Sequence, residues 1–487
     1  MSNGKLEDNH GSSYGPFGPI FQLIPGVQSY DWGKLADDGS LVAQYAGATK
    51  ELDFKCAGDR PYAELWIGTH PTLPSSIIAP TGAPAPTSNG TTEHISLASY
   101  LSQHPALLGK AVSDRFGGPS SGLPFLFKIL SIGKALSIQA HPDKTLAERL
   151  HAEKPKSYKD ANHKPEMTIA LTDFRGFCGF RPLPDIVDFI QKIPELRSVV
   201  GLSETELASL SSKAPQQKPD EEKAVLKDLF AKLMKARESD VKTQVTSLSQ
   251  RYDSYLQQRK TGGKAAEPIE VSTVLAQLVV KLNQQYPADV GVLCTFFLNV
   301  IDLRPGEAMF LQANEPHAYI EGDIVECMAA SDNVVRAGLT PKERDVDVLV
   351  DMLTYEMVSS RGDGSQDEKK LDAIVDSGHK YEVKNTKAEP GTTIYDPPIE
   401  EFTVLKTVVA AGKEVRHRAL NGPSILLVTE GKGDLTWLPS EETASQRRTL
   451  TLEQPGQVFF VGADSAIELR SRGQGEDLVV FRAFVEV

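Results

Sequence analysis

Two histidines, one glutamate and one glutamine in this chain have the side-chain types and the spacing of a metal site. Gln139 and His141 lie two residues apart in the segment SIQAHPDK. Glu166 lies in NHKPEM, and His317 lies in NEPHAYIEG. Three neutral ligands and one carboxylate can hold a divalent cation and leave its other coordination positions open to water or to substrate oxygens. An open metal site is typical of an enzyme and not of a metal that only holds a fold together.

The segment around the first two candidate ligands alternates between apolar and polar residues, which predicts a β-strand over residues 135–141. Leu136 and Ile138 alternate with Ser137, Gln139 and His141. Because successive side chains of a strand point to opposite faces, the apolar pair is expected in the core and the polar residues on the other face. A Gln-x-His pair also occurs on half-buried strands that bind no metal, so the pair alone does not establish a metal site.

Longer segments around these residues resemble the sequence blocks of one known family, the type I phosphomannose isomerases. Residues 158–166 (YKDANHKPE) resemble one signature of that family, and residues 317–342 (HAYIEGDIVECMAASDNVVRAGLTPK) resemble the second along its whole length. Residues 61–71 (PYAELWIGTHP) and 123–144 resemble two further blocks. The resemblance extends over residues 21–487 and is weak in the middle of the chain. A match as long as the second signature is highly specific.

The spacing of apolar residues predicts a mainly β protein with an inserted helical domain. Before residue 184, short apolar runs are interrupted by Gly and Pro, whereas after Pro219 the apolar residues recur at helical spacing. Short strands with tight turns resume at Gly291 and again after Pro397, and such strands suit jelly rolls of the cupin type. The predicted parts are an N-terminal arm (1–20), a catalytic cupin-type jelly-roll domain (21–183 and 287–390), an inserted helical domain (184–286) and a second, C-terminal jelly roll (391–487).

The resemblance implies a zinc-dependent aldose–ketose isomerase that interconverts mannose 6-phosphate and fructose 6-phosphate. It implies one Zn²⁺ per chain, held by Gln139, His141, Glu166 and His317 together with at least one water. In such a reaction a proton moves between C2 and C1 through a cis-enediol, and a nearby cation stabilises the negative charge on its oxygens. The reaction is expected to feed GDP-mannose synthesis, protein glycosylation and cell-wall mannan.

The family pattern assigns an active-site role to Arg336. Because a guanidinium stays protonated, Arg336 is expected to bind phosphate or enediolate oxygens and not to take up a proton. Three candidates are open as the base: Glu326, Lys164 with a pKa lowered by burial, and a metal-bound hydroxide. Glu321 and Asp323, in the same signature as Glu326, are expected to be exposed turn residues.

Three more residues in the motifs are predicted to contact the substrate. Ser137 shares a strand face with Gln139, and Tyr319 follows His317 at strand spacing. Lys342 belongs to a set of cations that would meet the phosphate group. The other members of that set are Lys144, Lys164, Arg336 and Arg344.

Composition and charge exclude several partners and compartments. The chain has 487 residues and a net charge of −13, which argues against nucleic acid and anionic membranes as general partners. No segment reaches the roughly 20 apolar residues that cross a bilayer, and the first residues lack the apolar centre of a secretory signal. The four cysteines form no CxxC pair, so buried free thiols in a reducing cytosol are expected. A cytoplasmic monomer that acts on a small sugar phosphate is predicted.

Two other classes of function are open at this point. A cupin iron oxygenase commonly uses two His and one carboxylate, but Gln139 and the complete block 317–342 argue against it. Metal content and turnover without oxygen would separate the two enzymes. A sugar-binding or regulatory module without activity would be indicated by loss of a ligand or of Arg336, and neither is missing. The region 184–286 can also carry contacts to a partner alongside catalysis.

The predicted site residues all lie between Ser137 and Lys342. The C-terminal jelly roll is therefore predicted to contact no substrate atom. Lys406, Arg416 and His417 are interpreted as surface charges of that domain. Alanine at each is expected to leave kcat/KM within a few-fold, because a surface charge contributes at most about 1 kcal/mol.

Overall fold

The computed structural model describes residues 14–79, 87–88, 91–92, 94–213, 218–261, 269–357, 389–439, 447–473 and 475–487. Most of the predicted N-terminal arm lies outside these residues, and so does the segment 359–368 (SSRGDGSQDE), whose polar residues predict a loop. Within them, no helix combines the length and the apolar character that crossing a bilayer requires.

Strands of the predicted catalytic region form a branched antiparallel sheet, called the site sheet. Its central strand, His317–Ala329, pairs with Phe174–Phe180 over its first half. Over its second half it pairs with Phe125–Ile132 and Glu166–Ala170. Gly322 separates the halves with a φ of +115°, and a Cβ at this position would lie 2.6 Å from a backbone oxygen, so glycine is required. The other strands of the site sheet are Gly26–Gln28, Glu64–Ile67, Ile138–Ala140, Leu298–Leu303, Ala308–Leu311 and Val335–Gly338.

A second sheet, called the middle sheet, contains strands from both ends of the chain. Ile20–Ile24 pairs antiparallel with Val458–Val461 and with Ser76–Ile77. The predicted domain boundaries stay predictions, but this sheet crosses them. Its other strands are Ile95–Ser96, Thr392–Tyr395, Thr403–Val409, Ser424–Glu430 and Leu478–Phe484. A third, outer sheet consists of Glu414–His417, Ala466–Ser471, Gly433–Leu438 and Arg448–Leu452.

In the described part of the chain the three sheets form three stacked layers. Alternate residues of a strand face opposite sides, so a sheet can share one core with each neighbouring layer. On the strand Phe125–Ile132, Phe127 faces a core that the site sheet shares with the middle sheet. Ile425 and Leu427 of the middle sheet belong to the same core, whereas the intervening Leu426 belongs to the core beneath the outer sheet. The opposite face of the site sheet is thereby left to line a cavity.

Helices cover one end of the site sheet. Helix Pro219–Met234 begins at the predicted proline, and Glu238–Lys260 and Thr273–Gln285 follow it. Their buried residues, for example Leu229, pack in one core with Ile138 of the site sheet. The other helices are Leu41–Ala46, Leu97–Gln103, Lys110–Arg115, Lys144–Glu153, Leu183–Lys192, Pro194–Val200, Glu204–Lys213 and Val346–Met352.

The strand predicted at 135–141 is shorter than expected. It spans only Ile138–Ala140, and its pairing with Val335–Gly338 is irregular between Ile138 and Gln139. Ile138 is buried in the core beneath the helices, whereas Leu136 is only partly buried and packs against a different cluster. The alternation correctly places Ser137 and Gln139 on the cavity side and Ile138 in the core, but it is wrong about Leu136, which also lines the cavity, and about the length of the strand.

Three predictions about exposure are wrong. Asp323 is not in an exposed turn but lies within the central strand at 1% exposure, where it accepts hydrogen bonds from Lys34 and Thr172. His417 is not a surface charge, since it is 5% exposed. Cys56 is exposed, while the other three cysteines are buried free thiols as predicted. The burial of Asp323 and of His417 is created by chain segments distant in sequence.

The buried position of His417 predicts a loss of stability for His417→Ala. His417 Nδ1 accepts from Arg482 at 3.2 Å, and Nε2 lies 3.1 Å from Thr407 Oγ1. Burial lowers the pKa of His417 to about 3, so the ring is neutral. Removing it leaves the buried Arg482 short of an acceptor, which is expected to reduce the free energy of unfolding by about 1–3 kcal/mol. Thermal denaturation checks this, with Arg416→Ala on the exposed neighbour as control. An unchanged Tm for His417→Ala would contradict it.

Candidate active site

His141, Glu166 and His317 converge beneath the cavity on the site sheet. The Oε1 atom of Glu166 lies 3.3 Å from His141 Nε2, and its Oε2 atom lies 3.5 Å from His317 Nε2. All three side chains are at most 2% exposed. The two Nε2 atoms make no hydrogen bond of acceptable geometry, although both are buried. The structure thus brings together three of the four residues predicted as metal ligands.

The other ring nitrogens hold both imidazoles in the orientation that a metal needs. Nδ1 of His141 donates to the backbone oxygen of Asn333 at 2.7 Å, and Nδ1 of His317 donates to that of Glu315 at 3.1 Å. Burial lowers the pKa of His141 to about 4, so this ring is neutral. With the proton on Nδ1, the lone pair of Nε2 is directed at the cluster. Two imidazole nitrogens and one carboxylate are a donor set that fits zinc.

Gln139 lies beside this cluster through strand pairing. It is directly opposite His317 on one side and opposite Arg336 on the other. Its side chain is half-buried and lines the cavity. The row His317–Gln139–Arg336 therefore connects the metal cluster to the predicted anion-binding arginine. The role of Gln139 as a ligand stays a prediction.

A cavity of about 1030 Å³ opens above the cluster. Helices supply part of its wall, for example at Leu233 and Val241. Lys144, which was predicted to help meet the phosphate, is exposed and instead donates to Asn162 Oδ1 at 2.9 Å. The predicted site residues that line the cavity are Ser137, Gln139, Lys164, Glu166, Tyr319, Glu326, Arg336 and Lys342.

Sequence reasoning missed a buried charge network on the cavity floor. Lys128 Nζ lies 3.2 Å from Glu326 Oε2, 3.7 Å from Glu64 Oε1 and 4.8 Å from the centre of the Trp66 ring. Trp66 Nε1 donates to Glu64 at 2.6 Å. Strand register explains the grouping, because Lys128 lies between Trp66 and Glu326 on adjacent strands. The lone charge in the apolar segment FLFKILSI was the available signal.

Tyr319 and the two carboxylates of the site form one hydrogen-bonded group. The Tyr319 hydroxyl lies 2.8 Å from Glu326 Oε1 and 3.2 Å from Glu166 Oε2, and it accepts from Thr168. Burial raises the pKa of Glu326, against the influence of the Lys128 charge. These contacts engage the hydroxyl of Tyr319, which was predicted to contact substrate, and that prediction stays untested.

The environment of Glu166 lowers its pKa, whereas the environment of Glu326 raises its pKa. Burial would raise the pKa of Glu166, but the charge of Lys164, whose Nζ lies 3.2 Å from Glu166 Oε1, outweighs it and holds the pKa well below its usual value. Two nearby carboxylates with pKa values driven apart are the pattern expected when one stays ionised and the other exchanges protons.

Arg336 is the cation of the cavity that is best placed to bind an anion. It is half-buried, and within the described ranges it forms no ion pair. Burial lowers the pKa of Arg336, but a guanidinium starts so high that it stays protonated. Lys342 is exposed nearer the rim, and Arg344 donates to the backbone oxygen of Ala337 at 3.2 Å. A half-buried unpaired cation favours an anionic ligand.

Comparisons with known proteins agree with the resemblance seen in the motifs. Three family models of the type I phosphomannose isomerases match this chain. The catalytic-domain model matches residues 20–183, the helical-insertion model residues 202–298 and the C-terminal model residues 393–437. The mannose-6-phosphate isomerase of Cryptococcus neoformans is 44% identical over 485 residues, which cover 96% of this chain and 99% of that protein. The human mannose-6-phosphate isomerase is 39% identical over 465 residues, covering 95% and 98%.

Solved structures support the same relationship. A crystal structure of zinc-bound mannose 6-phosphate isomerase matches with a TM-score of 0.71 at 28% identity, covering 96% of this chain and 100% of that one. The predicted fold class, a mainly β cupin fold with a helical insertion, is confirmed. The identity to these relatives is near 40% over almost the whole length, and all three family models match in chain order, which leaves one conclusion. The chain belongs to the type I phosphomannose isomerase family.

Proposed function

We propose that this chain is a zinc-dependent isomerase that interconverts mannose 6-phosphate and fructose 6-phosphate. The observation that carries the proposal is the pair of buried Nε2 atoms, on His141 and His317, that face one carboxylate without a hydrogen bond. An unsatisfied polar group in a folded interior costs about 1–3 kcal/mol, so both atoms are expected to serve a ligand. Their position beneath a cavity with an unpaired arginine supports an anionic substrate.

Zinc would be held by His141, Glu166 and His317, with Gln139 as the fourth protein ligand. When bound, zinc supplies a Lewis acid that draws electron density from the sugar oxygens at C1 and C2. Gln139 lies on the strand Ile138–Ala140 and His141 directly follows it, whereas Glu166 and His317 begin two other strands of the same sheet, so the packed sheet fixes their positions. The same sheet keeps the floor of the cavity buried, which strengthens electrostatic interactions with the sugar.

The cations of the cavity are expected to bind different groups of the substrate. Arg336 lies opposite the ligand Gln139 and would hold the enediolate oxygens, whose negative charge appears only during the reaction. Lys342 and Arg344 lie beyond it toward the rim and would hold the phosphate. Ser137 would donate to a sugar or phosphate oxygen from the neighbouring wall. Because this negative charge develops on the substrate oxygens in the transition state, substitution of Arg336 is expected to lower kcat.

Glu326 is the proposed proton carrier. Its carboxylate lines the cavity, and its raised pKa makes it a stronger base than an ordinary glutamate. It would take the proton from C2 of the open-chain mannose 6-phosphate and return it to C1, while the hydroxyl proton on O2 passes to O1, so that substrate and product contain the same atoms. Lys164 is paired with Glu166 at 3.2 Å and is better suited to donate a hydrogen bond to a sugar oxygen. Lys128 would orient the carboxylate of Glu326 from below.

A coupled assay with mannose 6-phosphate tests the proposal. Fructose 6-phosphate is expected as the product, with equal rates in air and under anaerobic conditions. Mannose without phosphate serves as the matched control and is expected to react far more slowly, because it cannot use the cations of the cavity. No turnover of mannose 6-phosphate, or a requirement for oxygen, would contradict the proposal and favour the oxygenase alternative.

Tyr319→Phe separates a role in the carboxylate group from direct contact with substrate. The hydroxyl donates to the ionised form of Glu326, so its removal is expected to raise the pKa of Glu326 further. The acid limb of the kcat/KM profile, where the base becomes protonated, should then move to higher pH. The KM for mannose 6-phosphate at high pH should change by less than about twofold, since the hydroxyl already has protein partners. A large rise in KM with an unmoved profile would mean that Tyr319 contacts the substrate.

The predictions about cellular location, oligomeric state and pathway belong to the same proposal. The enzyme is expected to act as a cytoplasmic monomer and to feed GDP-mannose synthesis, protein glycosylation and cell-wall mannan. Size-exclusion chromatography at several concentrations measures the oligomeric state, and a concentration-dependent shift to larger species would contradict the monomer.

A further inference from the structure

We infer that Asp160 is a positioning residue for the metal site and acts on it through Asn333. Asp160 lies in the first signature, a few residues before Lys164 and Glu166, and Asn333 lies in the turn between the central strand and Val335–Gly338. Neither residue is predicted to touch metal or substrate. The inference rests on the proposed metal site and extends it to the residues that hold its parts together.

The carboxylate of Asp160 accepts hydrogen bonds from two segments of the chain. Its Oδ1 atom accepts from Ser331 Oγ at 2.8 Å, from Asn162 N at 2.9 Å and from Asn333 Nδ2 at 3.2 Å. Its Oδ2 atom accepts from Asp332 N at 2.8 Å. One side chain thus joins the loop of the first signature to the turn of the second.

Asn333 connects this junction to a metal-facing histidine. It is completely buried, and its Nδ2 atom also donates to the backbone oxygens of Asp160 at 2.8 Å and Asn162 at 3.0 Å. The backbone oxygen of Asn333 in turn accepts from His141 Nδ1 at 2.7 Å. Only the residue Asn333, from its side-chain amide to its backbone carbonyl, therefore separates the Asp160 contacts from the bond that orients the His141 ring.

The junction has consequences for every part of the site that is not on a long strand. It holds the loop that carries Lys164, the turn that leads to Arg336, and the ring of His141. An ionised carboxylate offers acceptors on both oxygens, whereas asparagine offers one oxygen and places an NH₂ group in the other position. In Asp160→Asn that NH₂ group would meet donors, and the loop is expected to loosen. Outer groups that orient a ligand change metal affinity by about 10- to 100-fold when they are lost.

Zinc titration and hydrogen exchange test the inference. Asp160→Asn is expected to bind Zn²⁺ about 10- to 100-fold more weakly in competition with a chelator. In metal-free protein, amides of residues 158–166 should exchange faster than in the wild type. The conservative variant Asp160→Glu keeps two acceptor oxygens on a longer side chain and is expected to recover part of the zinc affinity. Asp302→Asn is the matched control. Asp302 Oδ1 lies 2.6 Å from Arg175 Nε, and this ion pair is not part of the junction.

Folded Asp160→Asn protein with wild-type zinc affinity would overturn the inference. If that variant does not fold, Ser331→Ala removes one donor to the same carboxylate, and an unchanged affinity in it has the same meaning. If the wild type itself binds no zinc, the proposed function fails instead. Hydrogen exchange of the metal-free protein then decides the inference, and unchanged exchange in residues 158–166 would overturn it.

Discussion

Removing the metal is expected to abolish isomerase turnover and to leave the C-terminal layers folded. The ligands come from separate segments and meet only beneath the cavity, so without a cation the developing charge on the sugar oxygens has no Lewis acid beside it. The core between the middle and outer sheets contains none of the predicted ligands. After chelation we therefore expect no measurable conversion of mannose 6-phosphate, a largely unchanged circular dichroism spectrum, and recovery of activity when Zn²⁺ is returned.

Metal content measured on the same samples makes this prediction decisive. His317→Ala removes a predicted ligand and is expected to lower zinc affinity by more than the roughly 10- to 100-fold that loss of an outer partner causes. His104→Ala is the control and should keep full occupancy, because His104 does not line the cavity and its ring packs against Tyr100. Full turnover in verifiably metal-free protein would mean that the cluster is not catalytic.

Arg336→Ala is expected to lower kcat by about 10²- to 10³-fold, the range found when one donor to a developing oxyanion is removed. The loss should appear mainly in kcat, because the charge that Arg336 meets is greatest in the transition state. Stability should change little, since the guanidinium has no ion pair among the described residues. Steady-state kinetics and thermal denaturation of the same preparation measure both quantities.

Two control arginine and lysine variants limit the interpretation of that result. Arg416→Ala and Lys406→Ala remove cations from the C-terminal layers and are expected to keep kcat/KM within a few-fold. Among the described residues, none beyond Arg344 lines the cavity, which supports this expectation. A tenfold loss in either variant with the fold intact would place part of the substrate site in the C-terminal half. Equal activity in Arg336→Ala would mean that this arginine is structural.

Elements with a strong local pattern were predicted well from the sequence. The strands Phe125–Ile132, Thr403–Val409 and Val458–Val461 and the start of the helix Pro219–Met234 lie where the apolar spacing predicts them. These elements are long or fully buried, so local preference and packing agree. The short strand Ile138–Ala140 differs, because its ends are determined by pairing with distant strands and not by its own residues.

The site was predictable where chemistry appears in a motif and not where it depends on distant contacts. His141, Glu166 and His317 stand in long motifs, and the structure brings them together as expected. The burial of Asp323 depends on Lys34, which lies at the other end of the catalytic region in sequence. Lys128 depends on register with Trp66 and Glu326. Charges buried by partners far along the chain leave little local signal.

The strand Ile20–Ile24 determines when this protein can finish folding. During synthesis it leaves the ribosome several hundred residues before its partner Val458–Val461. Until then, one edge of a largely apolar strand has no partner, and such edges promote association between chains. Closure of contacts between the two ends is also slow, because a long loop must be brought together first. A stop codon shortly before Val458 would therefore damage the N-terminal half as well, and chaperone dependence should extend until Val458–Val461 has been made.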